Sequence, residues 1–151
     1  MDEAGGDINK TTWYKMYQMQ KNFGNDIVGS SMIWGCQYDQ VMKFVDGKLD
    51  GNGRTFSVKI YDSNRHPNTW KAGTGNTPAD VVANIYDLEG SVQEWTIEAS
   101  RSKGCRVSRG GYQTIGHPAS TRGYVDMISL IAYTQDYHIE SLGSRLALYV
   151  K

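Results

Sequence analysis

Tyrosines, histidines and short polar side chains that could bind a partner are concentrated between two motifs near the end of the chain. The first motif is RVSRGG at residues 106–111, and the second is GSRLALYV at residues 143–150. The residues between them follow neither the helical nor the strand period for any distance. Four of the ten tyrosines, Tyr112, Tyr124, Tyr133 and Tyr137, lie there. Because tyrosine offers a large, rigid contact area with little side-chain entropy to lose, this segment predicts a binding surface.

The predicted binding residues are the polar, aromatic and aliphatic side chains of this segment, with one serine from the first motif. They are Ser108, Tyr112, Gln113, Thr114, Ile115, His117, Thr121, Tyr124, Val125, Asp126, Ile128, Tyr133, Gln135, Asp136, Tyr137, His138 and Ile139. A protein interface of standard size uses ~20–30 residues per partner, and this segment supplies most of that number. We therefore predict a protein or glycan ligand. For Met127, Ile128, Leu130 and Ile131, an ordinary buried strand is the alternative.

Metal chemistry has weak support in the sequence. His66, His117 and His138 share no metal-ligand spacing, so solvent-exposed or packed histidines are expected. Residues 46–53 superficially resemble a calcium loop, but the acids miss the required positions and Ser57 stands where a bidentate glutamate is needed. We predict a solvated turn at residues 46–53, and neither a metal nor a cofactor for the chain.

Acid–base chemistry is a further possibility raised by residue type. Asp87 and Glu94 could form a pair of catalytic acids. We interpret both instead as residues that fix turns through backbone hydrogen bonds. Cys36 and Cys105 lack the CxxC spacing of a redox or zinc site. A single bridge between them and two free buried thiols both stay open.

Composition limits the class of protein. A chain of 151 residues, 39% hydrophobic and 21% charged, suits one compact domain over residues 1–151. Sixteen basic and sixteen acidic residues give a formal net charge of zero, whereas binding to nucleic acid phosphates requires a basic field. Nucleic acid is therefore not a predicted partner. The chain has neither an apolar run of about eighteen residues nor a signal-peptide pattern, so we expect no membrane insertion.

Helical periodicity is confined to the first third of the chain. Residues 9–23 repeat apolar side chains at steps of three and four, with Thr11 or Thr12 as the predicted cap and Gly24 as the predicted end. A second helix is predicted after a cap at Ser30 or Ser31, running from Met32 to Val45 and ending at Gly47. Each helix is expected to present one apolar stripe to a core.

Shorter elements are predicted beyond the helices. Residues 55–61 alternate as a short strand, and residues 62–77 form a polar loop. Residues 77–80, with the sequence TPAD, have the spacing of a capping box and predict a short turn. Trp34 and Trp95 lie in patterned segments, so both are predicted to be core residues.

Separated motifs resemble, in the same order, the formylglycine-generating-enzyme-like (sulfatase-modifying factor) family, a variant of the C-type lectin fold. They are WGCQYDQVMKF at residues 34–44, NIYDLEGSVQEWT at residues 84–96, RVSRGG and GSR. The resemblance covers roughly residue 12 to the end. It implies a loop-rich α+β fold in which two helices pack on small antiparallel sheets, with Arg109, Arg122 and Arg145 in the framework. The family's upstream strands have no counterpart here, which predicts a truncated N-terminus.

The enzymes of this family carry a cysteine pair after the Arg-Gly-Gly motif, where thiolates bind copper and activate oxygen. This chain has no cysteine after Cys105, and neither serine nor tyrosine replaces a thiolate in that chemistry. The resemblance therefore predicts a protein that is not an enzyme. Ser91 stands where the family has a calcium-associated asparagine, and a hydroxyl is a poorer ligand for a hard cation than an amide carbonyl.

The segment also resembles the variable region of proteins diversified by retroelements, in which mutagenesis directed at adenines rewrites asparagine codons. Randomising the two adenines of an asparagine codon produces codons for Tyr, Ser, Thr, Ile, His, Asp, Gly, Ala, Val and Leu. Most of the predicted binding residues belong to that set. Gln113, Met127 and Gln135 do not. The resemblance implies a variable region at about residues 106–145 whose side chains point to solvent. It implies a receptor-binding protein on a phage virion or bacterial cell surface; the alternative is a structural or assembly module of such a particle.

Overall fold

The computed structural model describes residues 12–62, 77–89, 92–101, 104–111, 116–126 and 142–151. Over these residues the chain is α+β, with two α-helices and three small sheets, which confirms the predicted class. In chain order the elements are α1 (Trp13–Lys21), β1 (Val28–Met32), α2 (Gly35–Val45), a 3-10 helix (Pro78–Asp80), β2 (Val81–Val82), β3 (Ile85–Tyr86), β4 (Gln93–Ala99), β5 (Cys105–Arg109), β6 (Arg122–Asp126), β7 (Leu142–Ser144) and β8 (Leu146–Val150). None of the helices in the described ranges has the length and apolar character needed to cross a membrane.

The chain divides into two compact units. The first takes in the described residues of Met1–Gly35, Glu94–Ser108 and Gly123–Lys151, and the second those of Cys36–Gln93 and Arg109–Arg122. The first unit contains α1, the antiparallel β1–β8 ribbon and nearly all of a four-stranded sheet with the order β6-β5-β4-β7. The second contains α2 and the short β2–β3 hairpin.

The first helix begins where the sequence predicts and ends earlier. Thr12 has extended backbone, and its Oγ1 accepts a hydrogen bond from the Lys15 N–H at 3.3 Å, so the predicted cap at Thr12 is confirmed. The helix ends at Lys21, and the predicted end at Gly24 is wrong. Gly24 lies in the turn that follows, so close to the Val28 carbonyl that an added Cβ would clash with it. The turn therefore needs glycine at this position.

The predicted start of the second helix is also wrong. Residues Val28–Met32 form β1, and α2 begins only at Gly35. Ser30 cannot cap a helix, because its Oγ accepts from the Gly24 N–H at 2.6 Å and donates to the Lys21 carbonyl at 3.3 Å. The end of the helix agrees better with the prediction. Gly47 follows α2 with a φ of 78°, the left-handed conformation that glycine adopts freely after a helix.

The core of the first unit is built from Trp13, Met16, Met32 and Trp95. Trp13 holds α1 to the sheet, because its Nε1 donates to the Thr96 carbonyl of β4 at 2.9 Å. The guanidinium of Arg106, from β5, lies 4.4 Å from the Trp13 ring centroid. Trp95 is fully buried, which confirms its prediction as a core residue.

Trp34 does not belong to the core, because 51% of it is exposed. Its neighbour Ile33 takes the buried position. The Ile33 N–H donates to the Arg145 carbonyl at 3.0 Å, and its carbonyl accepts from the Ile97 N–H at 3.1 Å. Successive residues of an extended chain point to opposite sides, so burial of Ile33 directs Trp34 outward.

The second unit corrects the strand predicted at residues 55–61. Thr55 forms an isolated bridge with Leu49, and the chain then turns. The Val58 N–H is bound by the Asp46 carboxylate at 3.1 Å, and the Ile60 N–H donates to the Ser57 carbonyl at 3.3 Å. These local bonds occupy the groups that a strand would need, so the alternation is not realised as a strand.

Both turns predicted in the second unit are present, but the turn at residues 46–53 is not solvated throughout as predicted, because Asp50 is buried. In the calcium-like segment, the Asp50 carboxylate accepts from the N–H groups of Asn52 and Arg54, each at 2.9 Å. In the capping-box segment, Thr77 Oγ1 donates to Asp80 Oδ2 at 2.9 Å beside the 3-10 helix. Most of the predicted polar loop, residues 63–76, lies outside the described residues.

The two tryptophans provide a stability test. Trp95→Ala is expected to lower the free energy of unfolding by about 3–5 kcal/mol, because it leaves a large cavity in the core. The matched control Trp34→Ala removes the same side chain from a half-exposed position and is expected to lower it by about 1 kcal/mol or less. Urea denaturation measures both. Equal losses would contradict the assignment of Trp95 to the core and Trp34 to the surface.

Candidate functional site

The structure describes part of the predicted binding surface. Ser108, His117, Thr121, Tyr124, Val125 and the backbone of Asp126 lie within the described residues. The other predicted binding residues lie outside them: Tyr112, Gln113, Thr114, Ile115, Ile128, Tyr133, Gln135, Asp136, Tyr137, His138 and Ile139. The alternative of a buried strand at Met127, Ile128, Leu130 and Ile131 lies outside them too. The described residues fall in both units, which are taken in turn.

In the first unit the surface is carried by β6, the strand at one end of the order in the four-stranded sheet. Tyr124 is 58% exposed. Val125, the next residue, packs against the core cluster that contains Trp95. The prediction that Val125 points to solvent is therefore wrong, and the reason is the strand period of two, which directs neighbouring side chains to opposite faces. Asp126 is the last residue of the strand.

Ser108 is not a surface residue either. It lies in β5, between β6 and β4, and it is fully buried. Its neighbours Val107 and Arg109 are buried as well. Successive side chains of a strand point to opposite faces, so burial of these three neighbours shows that both faces of β5 are covered at this point. Ser108 therefore belongs to the scaffold, and the prediction that it contacts a ligand is wrong.

An ion pair fixes the C-terminal end of the predicted variable segment. Arg145 lies between β7 and β8, and its Nε donates to Glu94 Oε2 at 2.7 Å. Glu94 itself is buried in β4 rather than located in a turn, and its predicted role in fixing a turn through backbone hydrogen bonds stays a prediction. Asp87 does lie in a turn, after β3, with a φ of 52°. Arg145 is confirmed as a framework residue, and a charge-assisted hydrogen bond of this kind holds strands in place more strongly than a neutral one.

In the second unit a buried arginine lies near the N-terminal end of the predicted variable segment. Arg109 pairs with Asp39 of α2, and its guanidinium lies 5.1 Å from the ring centroid of Tyr38. Gly110 follows with a φ of 88°, and a Cβ added there would lie 2.9 Å from the Tyr38 hydroxyl. Gly110 therefore occupies a position in this unit that only glycine fits. Arg109 is confirmed as a framework residue.

The turn at residues 116–121 holds His117 and Thr121, which are both half-buried. The Ser120 N–H donates to the Val58 carbonyl at 2.8 Å, and the Thr121 carbonyl accepts from the Gly110 N–H at 3.2 Å. Gly116 has a φ of 64°, and a Cβ added to it would lie 3.3 Å from the Tyr61 ring. Backbone bonds on both sides hold this turn, while half of each predicted binding side chain stays accessible.

Sequence inspection missed a polar cluster in the second unit. Arg54 lies 3.3 Å from carboxylate oxygens of both Asp50 and Asp62, and the Asp62 N–H donates to Glu89 Oε1 at 2.9 Å. Burial raises the pKa of Tyr61, and the charges of Glu89 and Asp62 raise it further. Arg54 and the two aspartates lie close together in sequence, and only Glu89, 27 residues beyond Asp62, is distant; the residues share no motif that predicts the cluster.

No metal or disulfide site is found in the part of the chain that the structure describes. No group of three or more His, Cys, Asp or Glu side chains there is placed to hold a metal ion. Cys36 is exposed, Cys105 is partly buried, and both are free, so the bridged alternative is not formed. The described surface offers aromatic and hydrogen-bonding side chains on a fixed backbone.

The Arg145–Glu94 pair can be tested by a double-mutant cycle. Glu94→Gln and Arg145→Gln are each expected to lower the free energy of unfolding by about 1–3 kcal/mol, because each leaves a largely buried charge without its partner. The double variant should lose less than the sum, with a coupling of about 1 kcal/mol or more. Strictly additive losses would show that the two side chains do not stabilise each other.

The raised pKa of Tyr61 predicts a loss of stability at alkaline pH. In the unfolded chain, Tyr61 loses its phenolic proton near the usual tyrosine pKa of about 10. Below that pH the phenol is neutral in both states, so the neutral phenol makes its full contribution to stability. It is lost as the pH rises through the higher pKa of the folded state. Tyr61→Phe should reduce this loss, measured by urea denaturation at pH 8 and pH 11. If Tyr61→Phe loses as much stability between these two pH values as the wild type, the phenol of Tyr61 is not the source of the loss.

Comparison with known proteins does not assign the chain to a family. No family model, no curated protein and no solved structure matches it. What is established is an α+β chain in which the residues of the recognised motifs occupy α2, β4, β5 and the β7–β8 junction. The function therefore has to be argued from the geometry of these elements.

Proposed function

We propose that this protein is a non-catalytic binding protein with a lectin-like scaffold of the formylglycine-generating-enzyme type. Its diversified surface recognises a protein or glycan on a host or neighbouring cell, and it is displayed on a phage virion or a bacterial cell surface. The observation that carries the proposal is the division of β6 into an exposed Tyr124 and a core-facing Val125. A surface that changes its sequence needs this separation, because binding side chains must vary without disturbing the core.

The two arginine pairs support the same proposal. Arg109 and Arg145 stand at the two ends of the predicted variable region, and each is bound to an acid of the framework, Asp39 and Glu94 respectively. Each charge-assisted bond holds its arginine in place within its own unit. Loops positioned by a rigid scaffold are the usual place for binding residues.

The lectin-like scaffold is supported by the way the described termini meet. β1, the first strand, pairs antiparallel with β8, the last, in a register from Val28 opposite Val150 to Met32 opposite Leu146. The residues that carry the resemblance lie on framework elements, with Trp95 in the core and Arg109 in a buried ion pair. The non-catalytic assignment rests on the absence of cysteine after Cys105, since the family's chemistry requires thiolates.

Substitution within β6 tests whether the scaffold is separable from the surface. Tyr124→Ser is expected to change the free energy of unfolding by about 0.5 kcal/mol or less, as exposed positions generally do. Val125→Ser places a hydroxyl against the core and is expected to lower it by about 1–3 kcal/mol. Thermal denaturation compares the two. If Tyr124→Ser destabilises the fold as much as Val125→Ser, then Tyr124 is structural and the alternative of an assembly module is favoured.

Binding itself can be measured with the labelled full-length chain on a glycan array and on intact bacterial cells. Tyr124→Ala is expected to weaken any saturable binding by up to ~2 kcal/mol, because an aromatic residue at the centre of an interface often dominates its affinity. The sequence predicts the same effect at Tyr133 and Tyr137. Trp34→Ala, also on an exposed aromatic residue, is the control and should leave binding unchanged. Saturable binding that all of these alanine variants retain would contradict the proposed surface.

A further inference from the structure

Among the described residues, no further strand pairs with the outer edge of β8 in the β1–β8 ribbon, and the hydrogen bonds at the two ends of the ribbon show which residues form this edge. The Lys151 N–H donates to the Ile27 carbonyl at 3.1 Å, and the Ile33 N–H donates to the Arg145 carbonyl at 3.0 Å. In an antiparallel pair, residues that bond to the partner strand alternate with residues whose N–H and C=O groups point away. The odd-numbered residues of β8 therefore bond to β1. Leu146, Leu148 and Val150 direct their backbone groups to the outer edge.

The outer edge of β1 is covered by the chain itself. The Asn25 N–H donates to the Val28 carbonyl at 2.8 Å, and Asn25 Oδ1 accepts from the Val28 N–H at 2.8 Å. The Gly24 N–H donates to Ser30 Oγ at 2.6 Å. The turn after α1 thus occupies the outward groups at one end of this edge and blocks the approach of another strand.

The outer edge of β8 has no such cover within the described residues. No charged residue and no proline lies in Leu146–Val150, although charges and prolines are the usual means of protecting an edge strand. Arg145, before the strand, is paired with Glu94, and Lys151, after it, donates through Nζ to the Asn25 carbonyl at 2.5 Å. Leu148 is 59% exposed and Val150 is 82% exposed. β8 therefore exposes its outer backbone edge and apolar side chains on the same strand.

We propose that the occupant of this edge is a second copy of the same chain, paired antiparallel through β8 about a two-fold axis at Leu148. Leu148 then faces Leu148 of the other copy, and Leu146 faces Val150. These are the residues whose backbone groups point outward, so each facing pair exchanges two hydrogen bonds. Their side chains lie on one face of the ribbon, which joins the apolar side chains of both copies into one strip.

The opposite face of the strand is also complementary to itself. In this register Ala147 of one copy faces Tyr149 of the other, which sets a small side chain against a large one. The Tyr149 ring already lies over Gly29 of its own chain, where an added Cβ would meet the ring atoms. The ring is therefore directed away from the outer edge and leaves room for the second strand.

The asymmetry of the two edges limits the assembly to a dimer. Because the turn after α1 occupies the outward groups of β1 at Val28, a third copy cannot pair along the full length of that edge. A two-fold contact of this kind is closed. A contact made by two five-residue strands is small, and small interfaces are typical of weak or transient complexes. We therefore expect a weak dimer with a dissociation constant in the micromolar range.

Sedimentation equilibrium of the full chain between about 1 and 200 µM tests the proposal. The mass is expected to rise from the chain mass of 16.9 kDa to twice that value. Leu148→Lys sets two charges opposite each other at the two-fold axis and should raise the dissociation constant at least tenfold. Val150→Lys, at a more exposed position of the same edge, serves if the first variant does not fold by circular dichroism. Ile60→Lys is the control: Ile60 is 65% exposed in the other unit, and this variant should dimerise as the wild type does.

Three results would overturn the proposal. The wild-type chain could stay at the monomer mass throughout, which would show that the edge is not self-associating. It could form a dimer that both edge lysine variants retain, which would place the contact elsewhere. It could also grow beyond the dimer with concentration, which would contradict a closed two-fold contact.

Discussion

The structure depends on a constraint that every β-strand obeys: neighbouring side chains point to opposite faces, so a residue that packs on a core is followed by one that points away from that core. In β6 this constraint packs Val125 against the tryptophan core and exposes Tyr124. Between β1 and α2 it buries Ile33 and turns Trp34 outward. The proposed binding surface and the proposed dimer edge both follow from it, because each uses the side of a strand that the core cannot use.

Local chemistry decided which parts of the fold could be predicted from the sequence. Thr12 caps α1, and Thr77 stands beside a 3-10 helix, because the partners of both side chains lie three residues away. Ser30 looked equally suited to cap a helix, but its partners, Gly24 and Lys21, are reached only when the chain folds back as a strand. Predictions succeeded where the competing interactions were near in sequence and failed where distant pairing decided the outcome.

The candidate site shows the same limit. Tyr124 was predicted to be exposed and is exposed, but Ser108 and Val125, drawn from the same stretch, are scaffold residues. Their burial depends on strand order, since β5 lies between two strands and β6 contacts the core with alternate residues. The residue types that mutagenesis of asparagine codons can produce do not indicate which positions become buried. The partners of the framework arginines, Asp39 and Glu94, were also beyond prediction, because they lie 70 and 51 residues away along the chain.

A diversified surface places an energetic requirement on its scaffold, and the requirement explains why burial and variation must be kept apart. Domains of this size are stable by about 5–15 kcal/mol, and a substitution at a buried position typically removes about 0.5–3 kcal/mol. If a dozen variable positions each removed ~1 kcal/mol, few combinations would still fold. Stability therefore has to reside in fixed residues such as Trp13, Trp95 and the Arg145–Glu94 pair, while the variable positions contribute almost nothing. Val125, which packs on that core, is by this argument a position that diversification has to spare, even though its residue type belongs to the diversified set.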